Sequence, residues 1–457
     1  EDIAQAHQNG DIHIHDLDFY AKTLTCIQIP LRKLLHHGFN TGHGYIRPPK
    51  RAMSAAALAA IILQSSQNDM HGGQSFAFFD RDMADFVAGS DEGEIYQAME
   101  GLVYNLNSMH SRAGSQVPFS SINLGCDTSQ GGRAITRNLL FAYEKGMGKG
   151  ETPIFPNIIF RVKKGINFEP GDPNYDLFRL AVRVAASRMN PTFSFMDSTF
   201  NREFGTEVAY MGCRTRVITD RYGDPVSDGR GNLSFTSINL PRLAIKAKGN
   251  LQVFFSGLEK ILLLVSRQLY YRYQVQSHLK VRDMPFLMGQ GLYLDSENLK
   301  PEDEIGEAIR HGTLSIGFIG LAETLCALTG SLDFENPDLQ KLGLEIVRYM
   351  RQVTDHFGER YNLNYTLLAT PAEGLSGRFV GIDRKLFGTI PGVTDKAYYT
   401  NSYHVPVSRG ISSFEKMRIE APYHALTNAG HISYVELSAP PVHNLDAVEM
   451  LIRTMAA

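Results

Sequence analysis

Apolar positions recur with helical spacing in three long segments of the chain. The run 51–67 is rich in alanine, leucine and isoleucine and follows two prolines, which favours a helix that begins there. The run 258–274 has the same period. At 336–338 the order Asn-Pro-Asp predicts an N-cap, a first-turn proline and a first-turn acid, with apolar positions at helical spacing behind them.

Short apolar runs between the helical segments predict strands, and the alternation of the two favours an α/β architecture. The predicted strands cover residues 154–160, 193–196, 214–218, 234–238, 314–319 and 432–437. The segment 220–232 is polar and rich in glycine and aspartate, which predicts a hairpin or an excursion between two strands. It would place the residues just after Cys213 and those around Asn232 on neighbouring strands.

The composition of the 457-residue chain is that of an ordinary globular protein. Lys plus Arg (45) nearly balance Asp plus Glu (48), so the basic excess of a duplex-binding protein is absent from the sequence and no nucleic-acid partner is expected. The longest apolar run, 55–63, is far shorter than the roughly 20 residues that a membrane span needs. We therefore expect a cytoplasmic protein with no membrane partner.

Four widely spaced cysteines form no CxxC pair, which predicts free thiols and no zinc site. They are Cys26, Cys126, Cys213 and Cys326. Cys213 differs from the others because a glycine before it allows a tight turn that presents the thiol at a loop tip. The adjacent Arg214 can lower the pKa of that thiol or hold an anion. A buried cysteine at the start of a strand is the alternative.

Four polar segments are further candidates for ligand contacts. In the segment 13–18 (HIHDLD), alternating His and Asp residues on a strand could bind a metal, but hydrogen-bonded struts at a strand edge explain them better, and no metal is expected. The paired glycines in 68–74 suit a close approach to a nucleotide or a neighbouring subunit. The segments 118–123 and 370–376 offer hydroxyls or a helix start, which suit either an anion or a structural cap.

A series of motifs in this order resembles the class III anaerobic ribonucleoside-triphosphate reductases, members of the glycyl radical enzyme superfamily. The motifs are HIHDLDFY, QSSQNDMHGGQ, PFSSINLG, TPIFPNIIF, NPTFSFMD, YMGCR, GRGNLSFTSINLPR, GTLSIGFIGLAE, TPAEGLSGR, YYTNSYHVPV and GHISYVEL. The resemblance implies that residues 1–457 form one catalytic α/β barrel domain. Its ten strands would form two antiparallel halves of five parallel strands, around a central finger loop that carries the catalytic cysteine.

The resemblance also implies roles for individual residues. Cys213 is the expected thiyl-radical residue, and Cys26 is the expected second cysteine on the opposite face of the ribose. Met211 and Asn232 match the branch of the family that uses formate as reductant, and Glu373 is a further catalytic candidate. Substrate contacts are expected at Ser120, Ser121, Asn239, Gly374, Ser376 and Asn401, with Asn239 as the alternative to Asn232. Gln67, His71 and Gln74 are expected near a dimer interface where ATP or deoxynucleotide effectors bind.

Two parts that the resemblance implies are not in this sequence: an N-terminal ATP-cone and a C-terminal domain with four zinc-binding cysteines and a radical-storing glycine. We expect the glycyl radical and Zn²⁺ on a part of the protein outside this sequence. The expected partners are ribonucleoside triphosphates, allosteric nucleotides, a radical-SAM activating enzyme and further copies of the chain, as a homodimer or a higher homo-oligomer.

Two other functions stay open. One is another glycyl radical enzyme, an acyl-transferring lyase or a dehydratase. Acyl-transferring lyases often have two adjacent cysteines at the loop tip, whereas Cys213 stands between Gly212 and Arg214. The other is a nucleotide-binding regulatory subunit without catalysis of its own.

Overall fold

The computed structural model describes residues 1–112, 114–212 and 214–457, so that Cys213 lies outside the described residues. The strands are β1 Ile12–Ile14, β2 Ile27–Ile29, β3 Phe39–Asn40, β4 Tyr45–Ile46, β5 Gln74–Phe76, β6 Ser120–Leu124, β7 Asn157–Val162, β8 Thr192–Phe195, β9 Tyr210–Met211, β10 Thr215–Arg216, β11 Asn232–Asn239, β12 Thr313–Ile319 and β13 Asn364–Ala369. The α-helices are α1 Asp2–Asn9, α2 Leu31–His37, α3 Ala52–Ser66, α4 Phe79–Met83, α5 Glu92–Ser108, α6 Gln130–Lys145, α7 Tyr175–Arg188, α8 Leu240–Ala247, α9 Leu251–Ser277, α10 Gly306–Ile309, α11 Leu321–Thr329, α12 Pro337–Tyr361, α13 Gly374–Phe387, α14 Ser413–His424 and α15 Leu445–Ala456.

The first half of the chain forms a five-stranded parallel sheet in the order β2-β5-β6-β7-β8, here called the first sheet. Helices α3, α5, α6 and α7 pack side by side in chain order. Ser66 at the end of α3 bonds to the side chain of Gln74 in β5. This helical layer therefore covers the face of the first sheet on which the Gln74 side chain lies. Strands β2, β5, β6 and β7 are buried on both faces, as parallel strands with helical crossovers are, and the edge strand β8 is partly exposed.

The second half forms a four-stranded sheet in the order β1-β11-β12-β13, here called the second sheet. Strands β11, β12 and β13 are parallel, and β1 joins β11 antiparallel. The long helix α9 covers the outer face. Its Gln268 accepts from the hydroxyl of Thr236 in β11 (2.6 Å), and its Ser266 carbonyl accepts from the hydroxyl of Tyr365 in β13 (2.8 Å).

The two sheets meet along an antiparallel seam between β2 and residues 229–232. The backbone N–H of Cys26 donates to the Asn232 carbonyl (3.2 Å), and that of Gln28 donates to the Arg230 carbonyl (2.8 Å). Gly229 N–H returns a bond to the Gln28 carbonyl (2.8 Å). The parallel strands of the first sheet therefore run opposite to those of the second sheet at this seam, in an α/β fold.

The three long helices predicted from the sequence are confirmed as α3, α9 and α12. The side chain of Asn336 caps α12 by accepting from the Asp338 N–H (2.8 Å), and Pro337 occupies the first turn. The strands predicted at 193–196, 234–238 and 314–319 correspond to β8, β11 and β12, and that at 154–160 begins later, as β7. No helix within the described ranges combines the length and apolar character that a membrane crossing needs.

Two strand predictions are wrong. Residues 432–437 form no strand, because their polar side chains bond to α14: Ser433 donates to Glu420, and Glu436 accepts from Lys416. The segment 220–232 does not bring β10 beside β11.

The strand β10 instead pairs with β9, and β11 lies between β1 and β12. The reason is Arg230, whose buried guanidinium donates to the carbonyls of Ile218, Thr219 and Val226. The segment folds around this side chain instead of forming a ladder, because a buried guanidinium needs partners for its N–H groups.

Candidate functional site

A short antiparallel hairpin, here called the finger hairpin, lies against the inner face of the first sheet. It consists of β9 and β10, with Met211 opposite Thr215 and Tyr210 opposite Arg216. The sequence between these two strands contains Cys213.

Three buried polar side chains of the first sheet hold β9. Ser121 accepts from the backbone N–H of Gly212 (2.8 Å). Asn123 accepts from the N–H of Tyr210 and donates to its carbonyl, both at 2.9 Å. Ser75 also donates to that carbonyl (3.2 Å). Because buried polar groups are costly unless they are paired, these side chains fix the height and direction of β9 in the interior.

The ring of Phe119 explains two of the glycines near the finger hairpin. A Cβ on Gly212, whose φ is +57°, would lie 3.0 Å from the ring, and a Cβ on Gly73 would lie equally close to it. A Cβ on Gly72 would lie 2.2 Å from the Thr25 carbonyl. The close approach predicted for the paired glycines therefore occurs within this chain, beside β2.

On the other side of position 213, Arg214 contacts the end of β13. Its buried guanidinium donates to the carbonyls of Ala369 (3.2 Å) and Thr370 (3.3 Å) and to the hydroxyl of Tyr434 (3.3 Å). The two neighbours of Cys213 in the chain are thus bonded to different sheets, Gly212 to the first and Arg214 to the second.

Cys26 and Asn232 face each other across the seam between the sheets. Burial raises the pKa of the Cys26 thiol to about 12, so the thiol stays protonated at neutral pH. The amide Nδ2 of Asn232 donates to the Thr313 carbonyl (3.1 Å) and hydroxyl (3.0 Å) and to Ser315 Oγ (2.7 Å). Its Oδ1 is buried and has no partner in the described part of the chain, which leaves one acceptor open.

Hydroxyl groups on the inner side of the second sheet bond mainly to one another. Ser315 pairs with Thr366 (2.9 Å), and Ser237 pairs with Thr370 (2.8 Å). His15 Nε2 lies 2.8 Å from Ser237 Oγ. Burial lowers the pKa of His15 to about 3, so its imidazole is neutral.

The start of α13 gathers three of the expected substrate contacts and the catalytic candidate Glu373. Glu373 precedes the helix with a φ of +45°, and its carbonyl accepts from Ser376 Oγ (2.8 Å). Asn401 Oδ1 accepts from the Ala372 N–H (3.0 Å). Gly374, the first helical residue, has open space where a Cβ would stand. Unpaired N–H groups at a helix start suit an anion.

Two of the expected substrate contacts lie away from this arrangement. Asn239 is separated from Asn232 by the length of β11, roughly 23 Å. It caps α8 through Arg242 N–H (3.3 Å) and donates to Asp383 (3.0 Å). Ser120 is next to Ser121 in β6, but the pleat turns its side chain to the opposite face, toward the helical layer.

The three expected effector residues follow α3. Gln67 ends that helix and donates to Ser111 Oγ (2.6 Å). His71 Nδ1 pairs with Thr23 Oγ1 (2.8 Å), and Gln74 is buried in β5. Within the described ranges no three His, Cys, Asp or Glu side chains are grouped as metal ligands.

Ser75, Asn123 and Phe119 hold the finger hairpin, a role that the sequence did not indicate: the segment 118–123, which contains Phe119 and Asn123, suggested only an anion site or a structural cap. Asn123 is two residues after Ser121 in a strand, so period-two alternation puts both on one face, and this signal was present in the sequence. Nothing local indicates that β9, far along the chain, packs on that face.

The chain matches the family described as anaerobic ribonucleoside-triphosphate reductase over residues 1–457. It is 35% identical to the anaerobic ribonucleoside-triphosphate reductase of Escherichia coli (strain K12), over 98% of this chain and 67% of that protein. It is 33% identical to the enzyme of the same name from Enterobacteria phage T4, over 95% of this chain and 76% of that protein.

A solved structure of similar fold is the anaerobic ribonucleotide reductase from Thermotoga maritima in complex with dATP and CTP. It matches 100% of this chain and 77% of its own length, with a TM-score of 0.75 and 16% identity. On the full-length family match and the identity to the curated relatives, the chain belongs to the anaerobic ribonucleoside-triphosphate reductase family.

Proposed function

We propose that this chain reduces ribonucleoside triphosphates to deoxyribonucleoside triphosphates by thiyl-radical chemistry at Cys213. The observation that supports it most is the pair of anchors on either side of that residue. Ser121 holds Gly212, and the carbonyls of Ala369 and Thr370 hold Arg214. Bonds that fix the residues before and after a reactive group reduce the reorganisation that the group needs to meet a bound ribose.

The proposed reaction uses the two cysteines in different ways. A thiyl radical at Cys213 takes the 3′ hydrogen atom of the ribose, since S–H and this C–H bond are close in strength. The 2′ hydroxyl then leaves as water with the proton of the 3′ hydroxyl, which leaves a 3′ ketone and a radical at the 2′ carbon. A protonated Cys26 supplies the hydrogen atom that fills this position, since the raised pKa of that buried thiol keeps the S–H bond in place.

The thiyl radical left on Cys26 takes a hydrogen atom from formate, the proposed reductant. The resulting carbon dioxide radical anion gives one electron to the ketone, which takes up a proton, and leaves as carbon dioxide. Cys213 then returns the 3′ hydrogen atom and regains its radical.

Asn232 is proposed to bind a ribose hydroxyl. Its Nδ2 is already committed to Thr313 and Ser315, so only its carbonyl is available, and a carbonyl accepts from O–H. Formate is proposed as the overall reductant, with Met211 beside the reaction centre, giving carbon dioxide and water with the deoxynucleotide. Labelled formate should release labelled carbon dioxide in step with product, and turnover sustained by a thioredoxin-like system without formate would exclude it.

The triphosphate is proposed to bind at the start of α13. Gly374 and Ser376 would offer N–H and hydroxyl donors, with Glu373 and Asn401 shaping the turn. Ser121 would lie near the sugar, and Ser120 and Asn239 stay candidates for substrate contact. Effector nucleotides, which the Thermotoga maritima relative has as dATP, are proposed to bind around Gln67, His71 and Gln74, at an interface between two copies of the chain.

The remaining expectations concern the whole protein. We propose that residues 1–457 are its catalytic domain, that its two sheets belong to a ten-stranded barrel with the finger hairpin at the centre, and that it works in the cytoplasm. The glycyl radical, the zinc site and the contact with a radical-SAM activating enzyme are proposed for a part outside this sequence.

The deciding experiment compares Cys213→Ala with Cys126→Ala in full-length, anaerobically activated protein. We expect C213A to bind ribonucleoside triphosphate normally and to form no deoxyribonucleotide, while C126A forms it. Product from C213A would rule out Cys213 as the radical residue. Absence of nucleotide binding by the unsubstituted protein would favour a lyase or dehydratase. Binding without any product in the activated, unsubstituted protein would favour a regulatory subunit.

A further inference from the structure

A chain of hydrogen-bonded side chains, here called the relay, connects the finger hairpin to α14. Tyr210 Oη lies 3.4 Å from His431 Nε2, which is its longest link. His431 Nδ1 lies 2.7 Å from His424 Nδ1, and His424 Nε2 lies 2.9 Å from Ser433 Oγ. Ser433 Oγ donates to Glu420 Oε2 (2.9 Å). Both ends of the relay, Tyr210 and Glu420, are buried.

The acid at the end of the relay is ionised. Burial raises the pKa of Glu420, but contact with His404, whose Nδ1 lies 3.2 Å from Oε2, outweighs it and leaves the pKa below its usual range. The other oxygen, Oε1, accepts from the Val405 N–H (3.0 Å). An ionised carboxylate has no hydrogen to donate, so every group that contacts it must be a donor.

This requirement sets the direction of each bond in turn. Ser433 has one hydrogen and gives it to Glu420, so it accepts from Nε2–H of His424. A neutral imidazole carries one N–H, so Nδ1 of His424 accepts from Nδ1–H of His431. His431 Nε2 is then an acceptor, and it accepts the hydroxyl hydrogen of Tyr210.

Both histidines have reason to be neutral. Burial lowers the pKa of His424 to about 4. Burial also lowers the pKa of His431 far below its usual value, with further lowering from His424, Arg216 and Arg214. At the phenol, Asn201 Nδ2 donates to Tyr210 Oη (3.2 Å), which leaves the hydroxyl hydrogen for His431. The neutral charge of the two buried histidines and the single hydroxyl hydrogen of Tyr210 therefore agree with hydrogen bonds that all point from Tyr210 toward His431 and, beyond it, toward Glu420.

His431 holds both strands of the finger hairpin. Its ring accepts from Tyr210 in β9, and its backbone N–H donates to the carbonyl of Arg214, the residue before β10 (3.2 Å). The neighbouring Gly430 forms a bridge with Thr215. A change in the direction of the hydrogen bonds in the relay would therefore affect the segment that contains Cys213.

We propose that Glu420 dictates the tautomers of His424 and His431 and thereby fixes the finger hairpin, which makes Glu420, Ser433, His424 and His431 positioning residues for the radical reaction. The tautomer assignment depends only on the described contacts. The role in the reaction rests on the proposed function.

The substitution Glu420→Gln tests the direction of the hydrogen bonds and leaves the shape of the side chain nearly unchanged. The Gln carbonyl must face the Val405 N–H, so its NH₂ group faces Ser433. Ser433 then accepts from Gln and donates to His424 Nε2, and each later bond reverses. We expect His424 to change from Nε2–H to Nδ1–H, and His431 to change from Nδ1–H to Nε2–H.

Nitrogen-15 NMR of histidine-labelled, full-length protein reads these tautomers directly, with signals assigned by His424→Gln and His431→Gln. The matched control is Glu415→Gln on the same helix, a partly exposed residue paired with Arg418. We expect the unsubstituted protein and E415Q to share one pattern and E420Q to show the inverse. A charged histidine, the opposite tautomers in the unsubstituted protein, or an unchanged pattern in E420Q would overturn the assignment.

Should E420Q not fold, Ser433→Ala makes the same test by cutting the relay, and mixed tautomers at His424 are expected. A single unchanged tautomer in S433A would contradict the proposal.

The positioning role is measured by product formation. We expect E420Q to lower kcat about 10- to 100-fold with nucleotide affinity unchanged, as for a displaced reacting group, and E415Q to leave both unchanged. Expected tautomers with an unchanged kcat would overturn the positioning role alone. If the unsubstituted protein makes no deoxyribonucleotide, the proposed function fails while the tautomer result still decides the assignment.

Discussion

The two sheets use polar side chains on their inner faces for different purposes. In the first sheet, Ser75, Ser121 and Asn123 bond to backbone groups of the finger hairpin. In the second sheet, hydroxyls and amides bond to other side chains, and Asn232 Oδ1 is left as an open acceptor. Backbone bonds fix a position, whereas side-chain pairs can exchange partners with a ligand. The inner side chains of the first sheet thus hold the finger hairpin, and we propose that those of the second sheet receive the substrate.

Among substitutions that test this difference between the two sheets, we expect the largest effect from Asn123→Ala in the first sheet. The change leaves the buried N–H of Tyr210 without its partner and removes one of the two side-chain donors to the Tyr210 carbonyl, which keeps Ser75. We expect the free energy of unfolding to fall by about 2–4 kcal/mol, since an unsatisfied buried N–H costs roughly 1–3 kcal/mol and the lost bond to the carbonyl about 1 kcal/mol more. Product formation should fall at least about 100-fold because the finger hairpin moves.

Thermal or urea unfolding and a deoxyribonucleotide assay measure both effects of N123A. Asn68→Ala, which loses one exposed bond to the Ser65 carbonyl, is the control and should stay within about 0.5 kcal/mol. Wild-type product formation by a folded N123A would show that β9 is not held from the first sheet.

In the second sheet, the corresponding test compares Asn232→Ala with Asn239→Ala. These two residues lie at opposite ends of β11. We expect N232A to lower kcat or substrate affinity about 10- to 100-fold, from loss of one or two bonds to the ribose. We expect N239A to act mainly on stability, by about 1–2 kcal/mol, because it removes a helix cap. Steady-state kinetics and urea unfolding of both proteins test the contrast, and the reverse order of effects would reassign the ribose contact to Asn239.

A smaller effect is expected from Gly212→Ala compared with Gly410→Ala. Both glycines have φ near +60°, but only Gly212 meets a ring, Phe119, where a Cβ would stand. Each change should cost about 1–2 kcal/mol for the left-handed backbone, and the excess in G212A measures the ring contact. Equal losses of unfolding free energy and unchanged turnover would mean that Phe119 moves freely.

The smallest expected effect concerns the buried carboxylates of the two halves. Asp383, behind the second sheet, accepts from Asn239, Arg242 and Tyr399. Asp82 in α4 pairs with Arg81, but its Oδ2 has no partner among the described residues. Burial, and to a smaller extent the charge of Asp80, raises the pKa of Asp82 to about 6.

A raised pKa in the folded state means that the folded protein keeps a proton that the unfolded chain releases between the ordinary value of 3.8 and about 6. Stability from this group is therefore lost as the pH rises through that range. We expect Asp82→Asn to raise the free energy of unfolding at pH 7 by about 1 kcal/mol and to flatten its pH dependence. Exposed Asp85→Asn is the control, and equal pH profiles for D82N and the unsubstituted protein would contradict the expectation.

Local sequence determined the elements whose signals are local. The cap at Asn336 and the alanine-rich run predicted α12 and α3, because capping and helical periodicity act within one or two turns. The family motifs likewise supplied the residues that are proposed to take part in the chemistry. The turn before Cys213 was predicted from a glycine, and Gly212 does have a positive φ.

Tertiary structure alone decided what those elements contact. Arg230 drew the segment 220–232 into a loop, Asn123 bonded to a strand 87 residues away, and Asn239 proved to be a helix cap far from Asn232. The hydrogen bonds of His424 and His431 take their direction only from their contacts with Glu420 and Ser433. The physical reason is that a buried polar group takes whichever partner the packed chain brings to it, and that partner carries no trace in the neighbouring sequence.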